Sequence, residues 1–406
     1  MIASNRPRRL AAAGVSVVLA LALAACAQEY PNTTLSPNSE FGRAIDGLWD
    51  SLLFWGTLVF ILVEIILLFI LFRFRHRPGA PEPRQVHGNT ALEITWTMIP
   101  ALILVLIAVP TVRTIFATQA DAPGDALQVE VIGHQWWWEF RYPEYEIATA
   151  NELYLPAGRT VNFQLRTADV IHSFWIPQMG GKRDLITNHT NHLWFTPDST
   201  AAGSAWNGFC AEYCGTSHAN MKFRAFTVTA EEFERWVALQ RAPALVAHPA
   251  LGGAAPATQA AAQSSELPAE YYAFPREAAP EHVIPDGAIP RSLTFDGEPL
   301  GDAERGRELY SRSACIGCHR IRGNPMSQGI LGPELTHVGS RLTIGAGMYP
   351  NDPRYLALWI KNAVKMKPGS LMPPFGAGER DPRTGAMGAL TDQQIADIVA
   401  YLLSLK

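Results

Sequence analysis

The sequence predicts a multidomain membrane protein with most of its mass outside the bilayer: an exported leader, a two-helix hairpin, a small all-β unit and a small helical unit. Three observations carry that prediction. Apolar stretches crowd the N-terminal part, short alternating runs follow Gln128, and two compact cysteine–histidine clusters lie far apart in the remainder. A chain of 406 residues also exceeds one ordinary domain.

Composition bounds the function. Hydrophobic residues make up 48% and charged residues 17%, against about 25% charged in a typical soluble protein. The formal charge is 33 − 37 = −4, which argues against a nucleic-acid partner because phosphate recognition needs a basic face. Five cysteines cannot all pair as disulfides, so at least one has another task.

Residues 1–25 read as a secretion signal, with Arg6, Arg8 and Arg9 ahead of an apolar stretch from Leu10 to Ala25. The stretch ends in Leu23-Ala24-Ala25-Cys26, which resembles a bacterial lipoprotein signal with Cys26 as the acylated residue. A plain signal with an incidental cysteine is the competing reading. Residues 26–47 follow as a short outer segment.

Residues 48–72 and 93–117 are each long and apolar enough for one membrane span. Asp50 and Glu64 are the charges of the first, and Arg113 lies within the second. The connecting loop, 73–92, carries Arg73, Arg75, Arg77 and Arg84, so the positive-inside rule makes it cytoplasmic. Both outer flanks then face the export side, in agreement with the leader. A carboxylate inside a span is costly, so Glu64 is expected to face a partner helix or polar cavity. Glu93, at the cytoplasmic mouth of the second span, reads by composition as a solvated helix end.

From 125 to 232 the pattern is that of strands. Gln128–Ile132, Arg159–Arg166, His192–Phe195 and Phe223–Val228 alternate, with Val161, Phe163 and Leu165 at period two. Pro143, Pro156, Gly158, Pro177, Gly180-Gly181 and Pro197 separate them, predicting a small β-sandwich or Greek-key barrel. Within this unit, Cys210, Glu212, Cys214, His218 and Met221 fall within a dozen residues, and His172 lies on an upstream strand edge. Two thiols, imidazoles and a thioether are soft ligands that select copper over magnesium or calcium. A Cys210–Cys214 disulfide is the alternative for an exported domain, but it leaves His218 and Met221 without a role.

Residues 233–299 read as a linker, with Ala242 to Ser265 rich in Ala, Pro and Gly and semi-flexible. Tyr271, Tyr272, Phe274 and Phe295 make its second half able to pack on a domain surface. The last unit, 300–406, contains Cys315-Ile-Gly-Cys318-His319, the c-type haem attachment spacing, with His319 as proximal iron ligand. Met372 is the candidate distal ligand, and His–Met ligation raises a haem potential. Met366 competes, but its neighbours Lys365 and Lys367 point to solvent exposure. Asp302–Tyr310 reads as a first helix, and a capping box at Thr391 and Gln394 opens a last helix with Ile395, Ile398, Val399, Leu402 and Leu403 on one face.

His172 with Cys210-x-Glu212-x-Cys214-x-x-x-His218-x-x-Met221 resembles the binuclear copper A site of cytochrome c oxidase subunit II. The resemblance runs from the hairpin to about Thr229 and includes Glu93-Ile-Thr-Trp-Thr-Met-Ile-Pro and Gly133-His-Gln-Trp-Trp-Trp-Glu. It implies a cupredoxin-like β-barrel copper A domain after a two-helix transmembrane hairpin, and the haem segment resembles an all-α class I cytochrome c domain. By that resemblance Cys210 and Cys214 bridge two coppers, His172 and His218 each supply an imidazole, Met221 a thioether and Glu212 its carbonyl. The resemblance further implies a magnesium or manganese ion near the Glu212 side chain, electron entry at Trp136, and a proton-pathway entrance at Glu93. Core or interface packing is the plainer reading of Trp136-Trp137-Trp138.

The resemblance also implies partners and place. They are oxidase subunits I and III, an upstream cytochrome c or quinol–cytochrome c reductase complex as donor, and a bacterial inner membrane with both redox domains on its periplasmic face. The expected activity is that of a caa-type haem–copper oxidase: cytochrome c oxidised, oxygen reduced to water in subunit I, protons translocated. A copper A subunit of a nitric oxide reductase and a membrane-anchored copper-binding protein are the alternatives. One lipid anchor, two copper bridges and two haem thioethers account for all five cysteines.

Overall fold

The computed structural model describes residues 30–79, 85, 88–244, 274–285, 287–295 and 301–406. The leader, Cys26, Arg84 and the middle of the linker, with Tyr271 and Tyr272, lie outside the described residues.

Helices α1, Glu40–Arg73, and α2, Thr90–Gln119, are 34 and 30 residues long and apolar enough to cross a membrane. Each runs past its apolar stretch because its ends are capped. Ser39 Oγ accepts the Gly42 amide at 3.0 Å and donates to the Met179 carbonyl at 2.5 Å. Glu40 accepts the Thr196 amide at 2.9 Å, Arg43 pairs with Asp198 at 2.6 Å, and Phe41 is buried. The start of α1 is thus built into the β-unit. Asn89 caps α2 by accepting the Leu92 amide at 3.2 Å, and Glu93 Oε1 accepts the Asn89 amide at 3.3 Å. At the other end of α2, Trp194 Nε1 donates to the Ala120 carbonyl at 2.7 Å.

The β-unit is a sandwich of two five-stranded sheets. Its strands are β1 Leu127–His134, β2 Trp137–Tyr142, β3 Ile147–Ala150, β4 Glu152–Pro156, β5 Val161–Thr167, β6 His172–Trp175, β7 Arg183–Leu185, β8 Asn191–Phe195, β9 Ser204–Cys210 and β10 Lys222–Val228. One sheet has the order β3-β2-β1-β5-β8 and the other β4-β10-β9-β6-β7. Alternating side chains meet between the sheets. Trp138, Phe140, Phe163, Phe174 and Phe223 are all fully buried, with Phe174 and Phe223 stacked at 4.9 Å.

Residues 233–241, expected within the linker, instead belong to helix α3, Ala230–Arg241. A capping box at Thr229 and Glu232 starts it, and Phe233, Trp236 and Val237 are buried. Trp236 stacks on Tyr154 at 4.7 Å. The apolar triplet at helical spacing outweighs the linker-like composition that follows. Phe274, Val283 and Leu293 are buried as well, so the described part of the second linker half packs on folded surface.

The C-terminal unit is helical. Helix α4, Ala303–Arg312, leads to the one-turn α5, Cys315–Cys318. The two-residue strands β11, Thr343–Ile344, and β12, Tyr349–Pro350, precede α6, Pro353–Met366, and α7, Asp392–Ser404. The first and last helices cross at Gly306, where a Cβ would stand 1.9 Å from the Asp397 carbonyl oxygen, so only glycine permits the contact. Arg305 pairs with the nearly buried Asp397 at 3.1 Å beside that crossing.

The helical unit sits directly on the sandwich. Glu152 on β4, 2% exposed, accepts the Leu342 and Thr343 amides at 2.8 and 2.9 Å. Arg224, its register partner on β10, donates to the Val283 and Gly347 carbonyls at 2.5 and 2.6 Å. Arg322 donates to the Gln240 and Arg241 carbonyls at the end of α3, and His337 Nε2 lies 3.1 Å from the Ala242 carbonyl. Burial and the Arg322 charge push His337 down to about 4, below the usual value of about 6.5. The unfolded chain therefore takes up a proton that the folded one refuses, and this stability is lost as pH falls from about 6.5 towards 4. Thermal melts of the full chain should show a midpoint that drops over that window, and His337→Gln should flatten the drop. An equally steep fall in the variant would exclude His337 as its source.

Candidate redox centres

Strands β6 and β9 pair antiparallel with Phe174 opposite Cys210, which brings His172 beside the loop after β9. That loop turns through Gly215 and a single turn at His218–Asn220 before β10. The turn folds Cys214, His218 and Met221 back onto Cys210. The two Sγ atoms lie 3.7 Å apart as free thiols, so the cysteines do not form a disulfide. Cys210 Sγ is 3.8 Å from His172 Nδ1 and 3.2 Å from the Glu212 carbonyl oxygen. Cys214 Sγ is 3.6 Å from His218 Nδ1 and 3.8 Å from Met221 Sδ. All six positions converge around two sulfurs, and Cys210, Cys214, Met221 and His172 are buried.

The electrostatics suit a thiolate site. The Cys214 hydrogen bond, aided by His172 and backbone amides against burial, pushes the Cys210 thiol down to about 3. The same hydrogen bond pushes Cys214 up. Asp169 was not visible as a site residue in the sequence. Its Oδ1 lies 2.8 Å from His172 Nε2, leaving Nδ1 turned to the sulfurs. Although burial pulls the His172 imidazole down, Asp169 and Cys210 hold it above its usual range. The only available signal was position, three residues before the histidine. A soft, buried, pre-oriented donor set of this kind fits copper.

Trp136 bridges outward from this cluster. Its Nε1 and Gln135 Nε2 donate to the Cys214 carbonyl at 3.0 and 2.8 Å. Trp138 is core, and Trp137 stacks on His134 at 4.1 Å. Glu212 and Tyr213 are exposed. Glu93 lies far along the chain in the first turn of α2, where its carboxylate completes the helix start.

In the helical unit Cys315 and Cys318 are free thiols on α5, and the His319 ring follows directly. His319 Nδ1 lies 2.8 Å from the Pro333 carbonyl, which leaves Nε2 free to bind a metal. Burial holds the imidazole below its usual range, hence neutral. Ser327 Oγ links the His319 carbonyl at 2.8 Å to Tyr310, which is buried at the α4 end. Ile330 and Leu331, just before Gly332, and Leu371, beside Met372, are exposed apolar side chains, so the thiols, imidazole and exposed apolar side chains fit a covalent haem. Met372 packs partly buried against this unit's core, in the loop after α6. The expectation that lysines expose Met366 is not met. Met366 is 2% and Lys367 3% exposed, because the end of α6 is sandwiched between the two units.

Fold and sites together fit a class of protein in which two apolar helices carry a copper-binding β-domain joined to a c-type cytochrome. Residues 33–114 match the transmembrane domain of cytochrome c oxidase subunit II, residues 146–228 its periplasmic domain, and residues 303–406 cytochrome c. The chain is 31% identical over 398 residues to cytochrome c oxidase subunit 2 of Alkalihalophilus pseudofirmus, covering 96% of this chain and 95% of that one. It is 30% identical to the Bacillus subtilis subunit 2, with 95% of each chain covered. The periplasmic domain of subunit II from Bradyrhizobium japonicum is similar to 30% of this chain and 97% of its own length, at 28% identity and a TM-score of 0.28. The chain belongs to the cytochrome c oxidase subunit 2 family and carries a C-terminal cytochrome c domain. It is an oxidase subunit whose family implies assembly with subunit I, and its domains imply copper and haem c as cofactors.

Proposed function

We propose that this chain receives electrons at its own cytochrome domain and passes them through Trp136 to a copper pair and on to subunit I, where oxygen is reduced to water and protons are translocated. When bound, haem c and copper would supply one-electron redox chemistry. The chain's residues hold and connect them. Cys315 and Cys318 would attach the haem, and His319 and Met372 would ligate it. His172, Cys210, the Glu212 carbonyl, Cys214, His218 and Met221 would hold the copper. Asp169 fixes the His172 tautomer.

Trp136 carries the reading, because its indole N–H lies 3.0 Å from the Cys214 carbonyl while its other edge meets the cytochrome domain. Trp136→Leu should slow haem-to-copper transfer at least about tenfold, since small misplacements at a reacting contact are costly. The copper near-infrared band and the rate of haem c reduction should stay as they are. Flash or stopped-flow spectroscopy of the assembled oxidase measures both, and an unchanged transfer rate would remove Trp136 from the route.

Further roles rest on the same reading. The exposed Glu212 side chain is available to a magnesium or manganese ion at the subunit I face. Glu93 opens the proton route at the inner end of α2. An upstream cytochrome c or quinol–cytochrome c reductase complex is the donor, and subunit III completes the assembly. The chain sits in the bacterial inner membrane with Cys26 acylated and both redox domains periplasmic.

A further inference from the structure

The loop between α6 and Met372 lies on the copper loop. Ser217 Oγ, between Cys214 and His218, donates to the Pro368 carbonyl at 2.5 Å. Gly369 has φ +87, and a Cβ there would stand 2.9 and 3.0 Å from Trp136 Cζ3 and Cη2 and 3.2 Å from Thr216 Cβ. The backbone of the cytochrome domain therefore touches the Trp136 ring edge opposite its indole N–H. Directly beside it, the Lys367 ammonium donates to the Trp136 carbonyl at 2.6 Å and to the Gly345 carbonyl at 3.4 Å. A lysine 3% exposed with no carboxylate partner among the described residues is costly to bury. Two carbonyls, one from each domain, are what it gains.

We propose that Lys367 is a positioning residue for electron transfer: it ties the Met372 loop to the Trp136 backbone, and Gly369 lets that loop close onto the indole. This rests on Trp136 being the entry to copper. The step it serves moves one electron from reduced haem c to the oxidised copper pair, with no bond made or broken and no proton moved. Burial pushes Lys367 down to about 7, in keeping with an amine held for its geometry in a dry contact.

Two variants of the full chain in the assembled oxidase test the proposal. Lys367→Met removes both hydrogen bonds but keeps the buried stem. Gly369→Ala pushes the loop off the ring without changing charge, so an effect shared by both is positional. Both should slow haem-to-copper transfer at least about tenfold. Backbone hydrogen exchange at residues 135–137 and 366–370 should rise in each, with or without metals loaded. The copper near-infrared band and haem c reduction by an external donor should not change. Wild-type transfer in both variants, with Trp136→Leu slow, overturns the role of Lys367 alone. Wild-type transfer in all three overturns the Trp136 route as well.

Discussion

Cys214→Ser should abolish the copper centre while leaving the fold and the haem site intact. Cys214 Sγ stands within 3.8 Å of Cys210 Sγ, His218 Nδ1 and Met221 Sδ, so it contacts three of the other five donors. A serine hydroxyl fits the volume, but it is a hard and neutral donor where a soft thiolate is needed. Its carbonyl still accepts from Gln135 and Trp136, so the loop keeps its backbone anchors. Losing even a residue that only orients a ligand costs 10- to 100-fold in metal affinity or activity, so donor-driven oxygen consumption should fall by more than about a hundredfold. Electron paramagnetic resonance of the variant should lack the mixed-valence copper signal, while the haem c bands remain. A retained mixed-valence signal would exclude Cys214 as a bridging ligand.

Arg224→Met should undock the cytochrome domain. Arg224 is 2% exposed, and burial pushes its guanidinium down to about 10, which shows how much it is desolvated. Its side chain serves carbonyls at Phe223, Val283 and Gly347, so methionine strands acceptors from three segments. The attraction between Arg224 and Glu152 is lost as well, which leaves Arg341 as the buried cation beside a carboxyl that burial already pushes up. Removing one partner from such a buried charged network costs about 3–5 kcal/mol. The thermal midpoint should drop, hydrogen exchange at residues 342–347 should rise, and haem-to-copper transfer should slow. A variant that melts like the parent would show that the contact contributes little to docking.

Much of this protein was legible in its residue pattern. Cys210, Cys214, His218 and Met221 lie within one loop, so local turns bring them together whatever else the chain does. The haem thiols and His319 are adjacent for the same reason. The two apolar helices follow from length and composition alone. Helix α3 was readable in principle from its capping box and Phe233, Trp236 and Val237, but the Ala/Pro-rich stretch after it drew residues 233–241 into the linker. Asp169 and Lys367 carried no such signal. A carboxylate three residues before a histidine is common on any surface, and a lysine beside Met366 argues for solvent.

What the sequence determined by itself is the set of parts: two spans, a soft-ligand copper loop and a haem attachment turn, each encoded by spacing along a short segment. What only the tertiary structure decided is how those parts meet. Residues 152 and 342, 136 and 367, or 217 and 368 are joined by hydrogen bonds across long stretches of chain. Such contacts depend on burial and backbone carbonyl placement, which leave no periodicity to read. The contact of Trp136 with both the Cys214 loop and the cytochrome domain, on which the proposed electron route rests, therefore belongs to the docked fold, whereas the cysteines at its two ends were already legible in the sequence.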